Sequence, residues 1–407
     1  MTIEERLENI ERELGQVKHY NRWLLVMLVI GVTTLSGWVI PSPLLEARLP
    51  SSGLQSRKPV DIVKNPRVPL HRDLLPIRKE ATIPEPDGPS ESLLAGIRTI
   101  VVDKKGWIYI ADIKDQRVKI YDPSGRFIRG IGKVGQAPGE YQELSSIFLT
   151  SGNELGLHDF QRQQVHYFSP DGRYLRSIQV PRKPNTGGGR SLQIDGQDEF
   201  FSLSQVRDAE SIRWWHEAAR MGKALTMDEN LERIEQPTGK GAISKRLIIY
   251  GRPAGGVVIG HTWEYLLRFY DSKGRLEKEV SRDFDPVPLS KEESAYWYKM
   301  NKSRPTYFPP FSDFVVDDRG WLIVKTPKRT AGRKEQFFDV FDERGRFLAQ
   351  MTLPTRDYLD DRFGWTLIEP FHVKSGRVYI VAEDDDGNLA VCRYAVTWPT
   401  GPDKTLR

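Results

Sequence analysis

Cysteine is nearly absent from this chain of 407 residues, which contains only Cys392. A lone cysteine excludes an internal disulfide framework and any paired-cysteine zinc or redox motif, although it is compatible with an oxidising compartment. Because its surroundings are apolar (LAVCRYAV), we expect this thiol to be buried and unreactive. The P-loop, the GxSxG elbow and the HExxH motif are absent as well, so no phosphate-binding, serine-hydrolase or zinc-protease motif is present.

An excess of one charge is also lacking. Sixty Lys plus Arg against 55 Asp plus Glu leave a net charge of +5, with both signs interleaved. This balance excludes a protein that mainly coats nucleic acid, so no nucleic-acid partner is expected. The chain is 39% hydrophobic and has 34 glycines. It can therefore bury a core, as two or three small domains or one large repetitive domain.

Residues 1–22 carry a short heptad pattern. Apolar residues recur at spacings of 4, 3, 4 and 3, at Ile3, Leu7, Ile10, Leu14 and Val17. This is the a/d seam of a coiled coil. Because a helix this short is marginal by itself, two interpretations stay open. The segment associates with itself or with another chain, or it is a solvated amphipathic helix.

Residues 23–40 are predicted to form a transmembrane helix. They are 18 residues without a charge (WLLVMLVIGVTTLSGWVI), about 27 Å as a helix against a hydrocarbon core of ~30 Å. Lys18 and Arg22 precede the segment and the next cation is Arg48. The positive-inside rule then places the N-terminus in the cytoplasm and the remainder in the periplasm. A cleaved secretory signal is the alternative, for which the acidic segment in front is long.

Residues 41–74 are predicted to form a linker. Between residues 41 and 76 the sequence has seven prolines, and six cations against three acids. Proline at this density resists both helix and sheet. The positive charge suits either contact with anionic lipid headgroups or plain solvation.

An internal repeat governs residues 75–400. A hairpin signature, aromatic, three residues, Gly-Arg and apolar, occurs as YDPSGRF, FSPDGRY, YDSKGRL and FDERGRF, starting at Tyr121, Phe168, Tyr270 and Phe341. Each glycine supplies the positive-φ position of a tight turn between antiparallel strands. A degenerate copy is expected near residues 227–230. A second DxxG marker, in VDKKGWIYIAD and VDDRGWLIVKT, precedes the first and is also flanked by alternating apolar residues.

Together the two markers describe four antiparallel strands joined by short turns, which is a propeller blade. The units lie at 97–144, 145–183, 190–240, 242–288, 309–354 and 368–397 and predict an all-β fold, a six-bladed β-propeller. The last unit has three strand patterns. We therefore expect Leu75–Ile83 to pair beside Leu389–Val396 and close the ring, which hides an open sheet edge.

The stretch IYIADIKDQRVKIYDPSGRFIRGIGKVGQAPGEYQEL (Ile108–Leu144) resembles an NHL repeat. The whole arrangement is similar to membrane-tethered bacterial proteins with a six-bladed NHL-like propeller. The resemblance implies the fold more than a reaction, because such propellers mostly bind proteins or other ligands, and a minority are lyases or lactonases.

Strand order places the short DxxG turns on one face of the ring and all long connections on the other, the loop-bearing face. The predicted long connections are 181–190, 206–223, 285–310 and 327–336. Loops on a rigid scaffold usually carry the binding residues. Ser290-Lys291-Glu292-Glu293 is a capping box and predicts a helix within one of these connections.

Aromatic and basic residues on the loop-bearing face are the candidate ligand-binding residues. They are Trp214 and Trp215, which we expect in a helical insertion of blade 3, Trp297 and Tyr298 after the capping box, and Arg329 and Arg333 in blade 5. Trp, Tyr and Arg dominate binding hot spots and would suit a protein, peptide or anionic glycan. Alternatively, the aromatic residues cap the apolar propeller surface and the basic loops are only solvated.

Three further residues, Asp112, Asp159 and His261, align where strands approach the loop-bearing face, and we assign them to the central channel. Two carboxylates and an imidazole can hold Ca or Zn, which would serve a lactonase-like hydrolase or a lyase. Their distribution around a ring argues against convergence on one ion, and capping of loop amides is the alternative for the aspartates. We therefore expect a binding or scaffold module without a cofactor, with the hydrolase or lyase as the alternative.

Overall fold

A computed structural model describes the chain from residue 59 onward, with internal gaps. The described residues are 59–182, 191–207, 214–225, 229–235, 245–301, 305–332, 335–354, 370–383 and 388–399. They all belong to one compact unit, residues 58–407. The predicted coiled-coil helix, membrane span and first part of the linker lie outside them. Within the described ranges, no helix is long and apolar enough to cross a bilayer.

The described chain is built almost entirely from short strands. In chain order they are β1 (Asp61–Asn65), β2 (Ile77–Ile83), β3 (Ile97–Val102), β4 (Ile108–Asp112), β5 (Arg117–Tyr121), β6 (Phe127–Ile131), β7 (Leu144–Leu149), β8 (Leu155–Asp159), β9 (Gln164–Phe168), β10 (Tyr174–Gln179), β11 (Ser191–Ile194), β12 (Phe200–Arg207), β13 (Trp214–Arg220), β14 (Asn230–Glu235), β15 (Leu247–Gly251), β16 (Val257–His261), β17 (Leu266–Tyr270), β18 (Leu276–Arg282), β19 (Asp313–Val316), β20 (Leu322–Arg329), β21 (Glu335–Phe341), β22 (Phe347–Pro354), β23 (Phe371–Lys374), β24 (Arg377–Glu383) and β25 (Leu389–Val396). Among the described residues, the helices are a single 3₁₀ turn, Ser90–Ser92, and α1 (Lys291–Asn301).

These strands form six sheets, which are the blades. Blades 1 to 5 each contain four antiparallel strands in chain order, β3–β6, β7–β10, β11–β14, β15–β18 and β19–β22. The first strands contact one another in the cycle β3, β7, β11, β15, β19, β23 and back to β3, so they surround the central channel. The predicted six-bladed β-propeller is therefore confirmed.

Blade 6 is completed by a strand from the beginning of the propeller. Its own strands are β23, β24 and β25, and β2 pairs antiparallel with β25 at the outer edge, from Ile77 opposite Val396 to Ile83 opposite Val391. The prediction that Leu75–Ile83 closes the ring beside Leu389–Val396 is confirmed. Glu80, in β2, holds the closure from outside through contacts to Arg377 (2.7 Å) and Arg393 (3.2 Å).

The predicted linker differs from the structure over its described part. Residues 61–65 form β1, which pairs in parallel with β18 as a fifth strand of blade 4. The chain then donates backbone hydrogen bonds from Leu70 and His71 to the outer strand of blade 5. Prolines flank β1 but none lies inside it, and an edge strand tolerates them at its ends. We call residues 59–75 the strap, because they cross the rims of blades 4 and 5 before β2 reaches blade 6.

The four predicted hairpins are confirmed as turns between the third and fourth strands of blades 1, 2, 4 and 5. In the first, the N–H of Gly125 donates to the carbonyl of Asp122 at 2.9 Å, and Gly125 has a φ of 102°. The Asp122 carboxylate also pairs with Arg126. The same pair recurs as Asp271–Arg275 and Asp342–Arg346. The degenerate copy expected near residues 227–230 lies largely outside the described residues.

Hydrophobic clusters fill the spaces between neighbouring blades, and the described residues form one at each of the six interfaces. At the seam between blades 6 and 1, Ile83 and Val391 pack with Ile108, and all three are fully buried. Burying such a side chain contributes about 1.5–3 kcal/mol. Cys392 is buried in the cluster between blades 5 and 6, as expected for an unreactive thiol.

Candidate functional site

The loop-bearing face contains the connections between blades and between the second and third strands of each blade. The connection between β18 and β19 is long, is described over residues 283–301 and 305–312, and includes α1. The predicted capping box at its start is confirmed, since the N–H of Ser290 donates to Glu293 Oε2 (2.6 Å) and the N–H of Glu293 to Ser290 Oγ (3.2 Å). This cap fixes where the helix begins.

Trp214 and Trp215 do not lie in a helical insertion, so that part of the prediction is wrong. Both belong to β13, where Trp215 pairs with Val206 on one side and Glu235 on the other. The guanidinium of Arg233 lies 4.5 Å from the centre of the Trp215 ring. Strand β13 is paired on both sides, with β12 and β14. These sheet hydrogen bonds outweigh the helical tendency that was expected of the local sequence. The side chain of Trp214 is outside the described part.

The other predicted ligand-binding residues are distributed over two connections. Trp297 and Tyr298 lie in α1; the Tyr298 side chain is 44% exposed, and that of Trp297 is outside the described part. Arg329 is half-buried at the end of β20, and Arg333 lies outside the described residues. Of the six candidate ligand-binding residues, Tyr298 is thus the one whose described side chain is exposed.

Asp112 ties together two segments of the loop-bearing face. Its carboxylate accepts hydrogen bonds from the N–H groups of Ala95 and Gly96, just before β3 (both 2.9 Å), and of Lys114 and Asp115, after β4 (both 3.2 Å). The Lys119 ammonium lies 3.1 Å from the same carboxylate. All the acceptor capacity of this buried side chain is used inside blade 1.

Asp159 repeats this arrangement in blade 2. It accepts the N–H groups of Gln142, Glu143, Gln161 and Arg162 at 2.8–3.2 Å. Burial opposes its ionisation, but the nearby His166 and these amides outweigh burial and lower the pKa of Asp159 to about 2. The geometry is thus that of the loop-capping alternative for both aspartates.

His261 has a different environment at the equivalent position of blade 4. Its Nε2 lies 2.6 Å from Glu232 Oε2, on the outer strand of blade 3, and its ring centre is 4.7 Å from that of Trp263. Tyr270 donates to the other oxygen of Glu232 at 2.9 Å. These contacts join blades 3 and 4. His261 is buried between two sheets and not near the two aspartates of blades 1 and 2.

The three residues assigned to the channel, Asp112, Asp159 and His261, occupy equivalent positions in their blades. All three end second strands, whereas the first strand of each blade is the one that surrounds the channel. Among the described residues, no group of three or more His, Cys, Asp and Glu is arranged to hold a metal ion.

Side chains of the first strands do meet across the ring. The hydroxyl of Tyr250, in β15 of blade 4, lies 3.5 Å from Nδ1 of His372, in β23 of blade 6. Burial, with Lys374 nearby, lowers the pKa of His372 to about 4, so this imidazole is neutral. This contact narrows the channel. The contact was not predicted from the sequence, because the second strands of the blades were compared there. The channel side chains lie on the first strands, which begin at Ile97, Leu247 and Asp313 in blades 1, 4 and 5.

A serine–histidine pair lies at the loop-bearing end of blade 2, next to Asp159. Ser145 Oγ is 2.9 Å from Nδ1 of His158, and Ser145 is half-buried at the start of β7. His158 itself is fully buried, and burial lowers its pKa to about 4 despite the adjacent Asp159. An imidazole with so low a pKa is a weak general base.

An open cavity of about 450 Å³ lies beside blade 1, at the periphery of the same face. Its lining is Ser90, Glu91, Leu93, Ala95, Lys114, Asp115, Arg117 and Lys119. Charges of both signs line it, and Lys119 already contacts Asp112, Asp115 and the carbonyl of Leu93. It therefore offers no clear preference for a ligand of one charge.

Comparison with known proteins agrees with this fold. The family described as DUF5128, 6-bladed beta-propeller, matches residues 88–217, which span blades 1 and 2 and part of blade 3. A putative exported protein from Bacteroides fragilis is similar to this chain, with 14% identity, a TM-score of 0.52, and coverage of 83% of this chain and 100% of that chain. At this identity the likeness shows the fold alone.

Two enzymes with solved structures are more distant. Virginiamycin B lyase from Staphylococcus aureus has 8% identity and a TM-score of 0.39, covering 79% of this chain and 99% of that chain. A gluconolactonase from Xanthomonas campestris has 13% identity and a TM-score of 0.42, covering 84% and 99%. No curated protein matches the chain.

Proposed function

We propose that this chain is a membrane-anchored, NHL-like propeller that serves outside the cytoplasmic membrane as a binding or scaffold module. Residues 23–40 would be the anchor, and the loop-bearing face would meet a protein, peptide or anionic glycan. The uncharged run of 18 residues and the cations before it support the location. The setting of Asp112 and Asp159 supports binding over catalysis.

The observation that carries the proposal is the commitment of Asp112 and Asp159 to backbone amides. Each carboxylate accepts four N–H groups from two loop segments. To ligate a cation, either residue would have to give up some of these partly buried hydrogen bonds, which hold two loop segments in place. A rigid ring that fixes its loops in this way is suited to present a surface.

A hydrolase or lyase is the second candidate, and one observation favours it. The Ser145 hydroxyl lies within hydrogen-bond distance of His158, as a nucleophile and its base would. The low pKa of His158 weakens this case, and within the described residues no carboxylate orients Nε2 of its ring.

Metal content separates the two candidates. The full-length protein, purified without chelator, should contain Ca or Zn well below one ion per chain by elemental analysis. Asp159→Ala and the matched control Asp171→Ala, an exposed turn residue of the same blade, should then not differ in metal. Stoichiometric metal that is lost in Asp159→Ala and kept in Asp171→Ala would overturn the binding proposal in favour of the enzyme.

The location has its own test. The full-length protein should stay in the membrane pellet under alkaline carbonate extraction, and a version without residues 23–40 should not. In intact spheroplasts, protease added from outside should digest the propeller. A carbonate-soluble full-length protein, or a propeller protected from outside protease, would contradict the proposed location and leave the binding role to be judged separately.

A further inference from the structure

Two arginines from opposite blades lie at the loop-bearing ends of first strands, which surround the channel. Arg98 lies in β3 of blade 1, and Arg246 directly precedes β15 of blade 4. Blades 1 and 4 are opposite in a ring of six. Each first strand is entered from the preceding blade and leaves through a short turn on the opposite face, so both residues lie at its loop-bearing end. Burial lowers the pKa of Arg246, Asp313 opposes that effect, and the charge of Arg98 adds to it.

A β-bulge places the first of these side chains. Ile97 pairs with Asp112 and Thr99 with Ala111, so Arg98 is the extra residue in the ladder between β3 and β4. Bulges redirect a side chain out of the regular alternation and are common beside binding sites. Arg98 is exposed here, whereas Ile97 on its N-terminal side is buried.

Neither arginine is paired within the described part of the chain. No hydrogen bond or ion pair joins the guanidinium of Arg98 or Arg246 to another described residue, and Arg246 is half-buried. Partly desolvated charges are normally compensated by a partner. Two such cations facing one another repel unless an anion lies between them.

The remaining charged groups at the mouth do not remove this excess. Asp313, the first residue of β19, pairs in register with Lys325 of β20. Among the described residues whose charges act on Arg246 or Asp313, Arg98 and Lys325 are cations, and Asp313 is the carboxylate that acts on Arg246. His216 of blade 3 accepts the N–H of Leu247 through Nδ1 (3.4 Å), and burial next to Arg246 lowers its pKa to about 4, so it adds no charge at neutral pH.

The channel narrows below this mouth. Tyr250 is four residues beyond Arg246 in the same strand, which places it about 13 Å deeper. There its hydroxyl meets His372 from blade 6. The Tyr250–His372 contact therefore lies below the two arginines and forms a polar floor.

We propose that the channel mouth binds an oxyanion, a carboxylate or phosphate group of the ligand, between Arg98 and Arg246, with Lys325 adding charge. Planar guanidinium groups match both anions through paired N–H donors. This inference rests on the proposed binding function, for which it names the charge of the ligand and the place of contact.

Calorimetric titration of the full-length protein with small probes tests the site. The probes are D-galacturonate as the carboxylate, inorganic phosphate as the phosphate, and D-galactose as the neutral match of the first. We expect at least one anion to bind, the neutral sugar not to bind, and the affinity to fall with added salt. The tighter anion identifies which group the site accepts. Binding of neither anion, or equal binding of galactose and galacturonate, would overturn the inference.

Substitutions locate the binding. Arg98→Gln and Arg246→Gln should each weaken the bound anion by about tenfold or more, because each removes charge-assisted hydrogen bonds. The matched control is Arg126→Gln, an exposed arginine in the DxxG turn of blade 1, which should bind as the wild type does. Since Arg98 is exposed, its variant should fold even where Arg246→Gln does not. If Arg98→Gln binds the anion as tightly as the wild type, the site lies elsewhere and the inference is wrong. That result would not decide whether the loop-bearing face binds a partner.

Discussion

The side-chain oxygen of Asn65 accepts a hydrogen bond from the backbone N–H of Phe347 at 2.7 Å, although 282 positions separate the two residues. The Asn65 amide also donates to the carbonyls of Gly345 (2.9 Å) and Ser281 (3.1 Å). One buried side chain of the strap therefore links the outer strand of blade 4 to the turn of blade 5.

Removing this link should destabilise the propeller. Asn65→Ala leaves buried backbone groups of blades 4 and 5 without partners, which costs about 1–3 kcal/mol. Urea denaturation followed by tryptophan fluorescence measures the loss. Lys64→Ala, an exposed change in the same strand, is the control and should remain within about 0.5 kcal/mol of wild type. Equal midpoints for both variants would mean that the strap does not hold the ring.

The closing strand should respond to pH through Glu80. Burial opposes ionisation of Glu80, but Arg377 and then Arg393 and Arg78 outweigh it, so the folded pKa lies below its ordinary value of 4.5. A carboxyl with a lowered pKa contributes stability above its unfolded pKa, and that contribution is lost as the pH falls through the folded pKa.

The wild type should accordingly be more stable than Glu80→Gln at neutral pH, and the difference in melting temperature should shrink below about pH 4.5. Differential scanning calorimetry across that range checks it. A difference that stays constant or grows with acidification would show that the charge of Glu80 does not secure the closure.

Much of this ring follows from local sequence pattern. The DxxG glycines, the capping box at Ser290 and the closing strand Leu75–Ile83 were predictable because turn geometry, helix caps and alternation depend on neighbours in sequence. Strand β1 was not predictable, because it pairs with β18, which is distant in sequence; Asp61, for example, lies opposite Lys278. No residue near Asp61 in the sequence indicates that contact.

The site was predictable only in part, for a similar reason. Asp112 and Asp159 stood out as equivalent residues, and their capping role agrees with the alternative given for them. Arg98 and Arg246 did not stand out, since an arginine at the start of a strand is common and its position in the channel depends on closure of the whole ring.

Removing the Asp112 carboxylate, which caps two loop segments of blade 1, should lower the free energy of unfolding. Asp112→Ala removes the acceptor of four amides and leaves Lys119 beside its remaining partner Asp115. We expect a loss of about 2–4 kcal/mol in unfolding free energy. Lys104→Ala, an exposed change in the same blade, is the control for equilibrium denaturation. A small loss would indicate that the two loop segments hold their positions without the carboxylate.

The affinity of the channel mouth for anions should depend on Asp313. Burial raises its pKa to about 6, against the N–H of Phe314 and the charges of Lys325 and Arg246. As the pH falls from about 7 to about 5, protonation removes the negative charge of Asp313. The affinity for galacturonate should therefore rise several-fold in calorimetric titration. Asp313→Asn should abolish this dependence, and an unchanged pH profile in that variant would refute the assignment.

The central claim is that the loop-bearing face is the surface that meets the ligand. A photo-crosslinking amino acid placed at Tyr298, on the loop-bearing face, and in a second strain at Lys273, in a DxxG turn of the opposite face, tests it in cells of the native host. The account predicts a discrete, saturable adduct from position 298 and none from position 273. Adducts from position 273 alone, or equally from both positions, would contradict it.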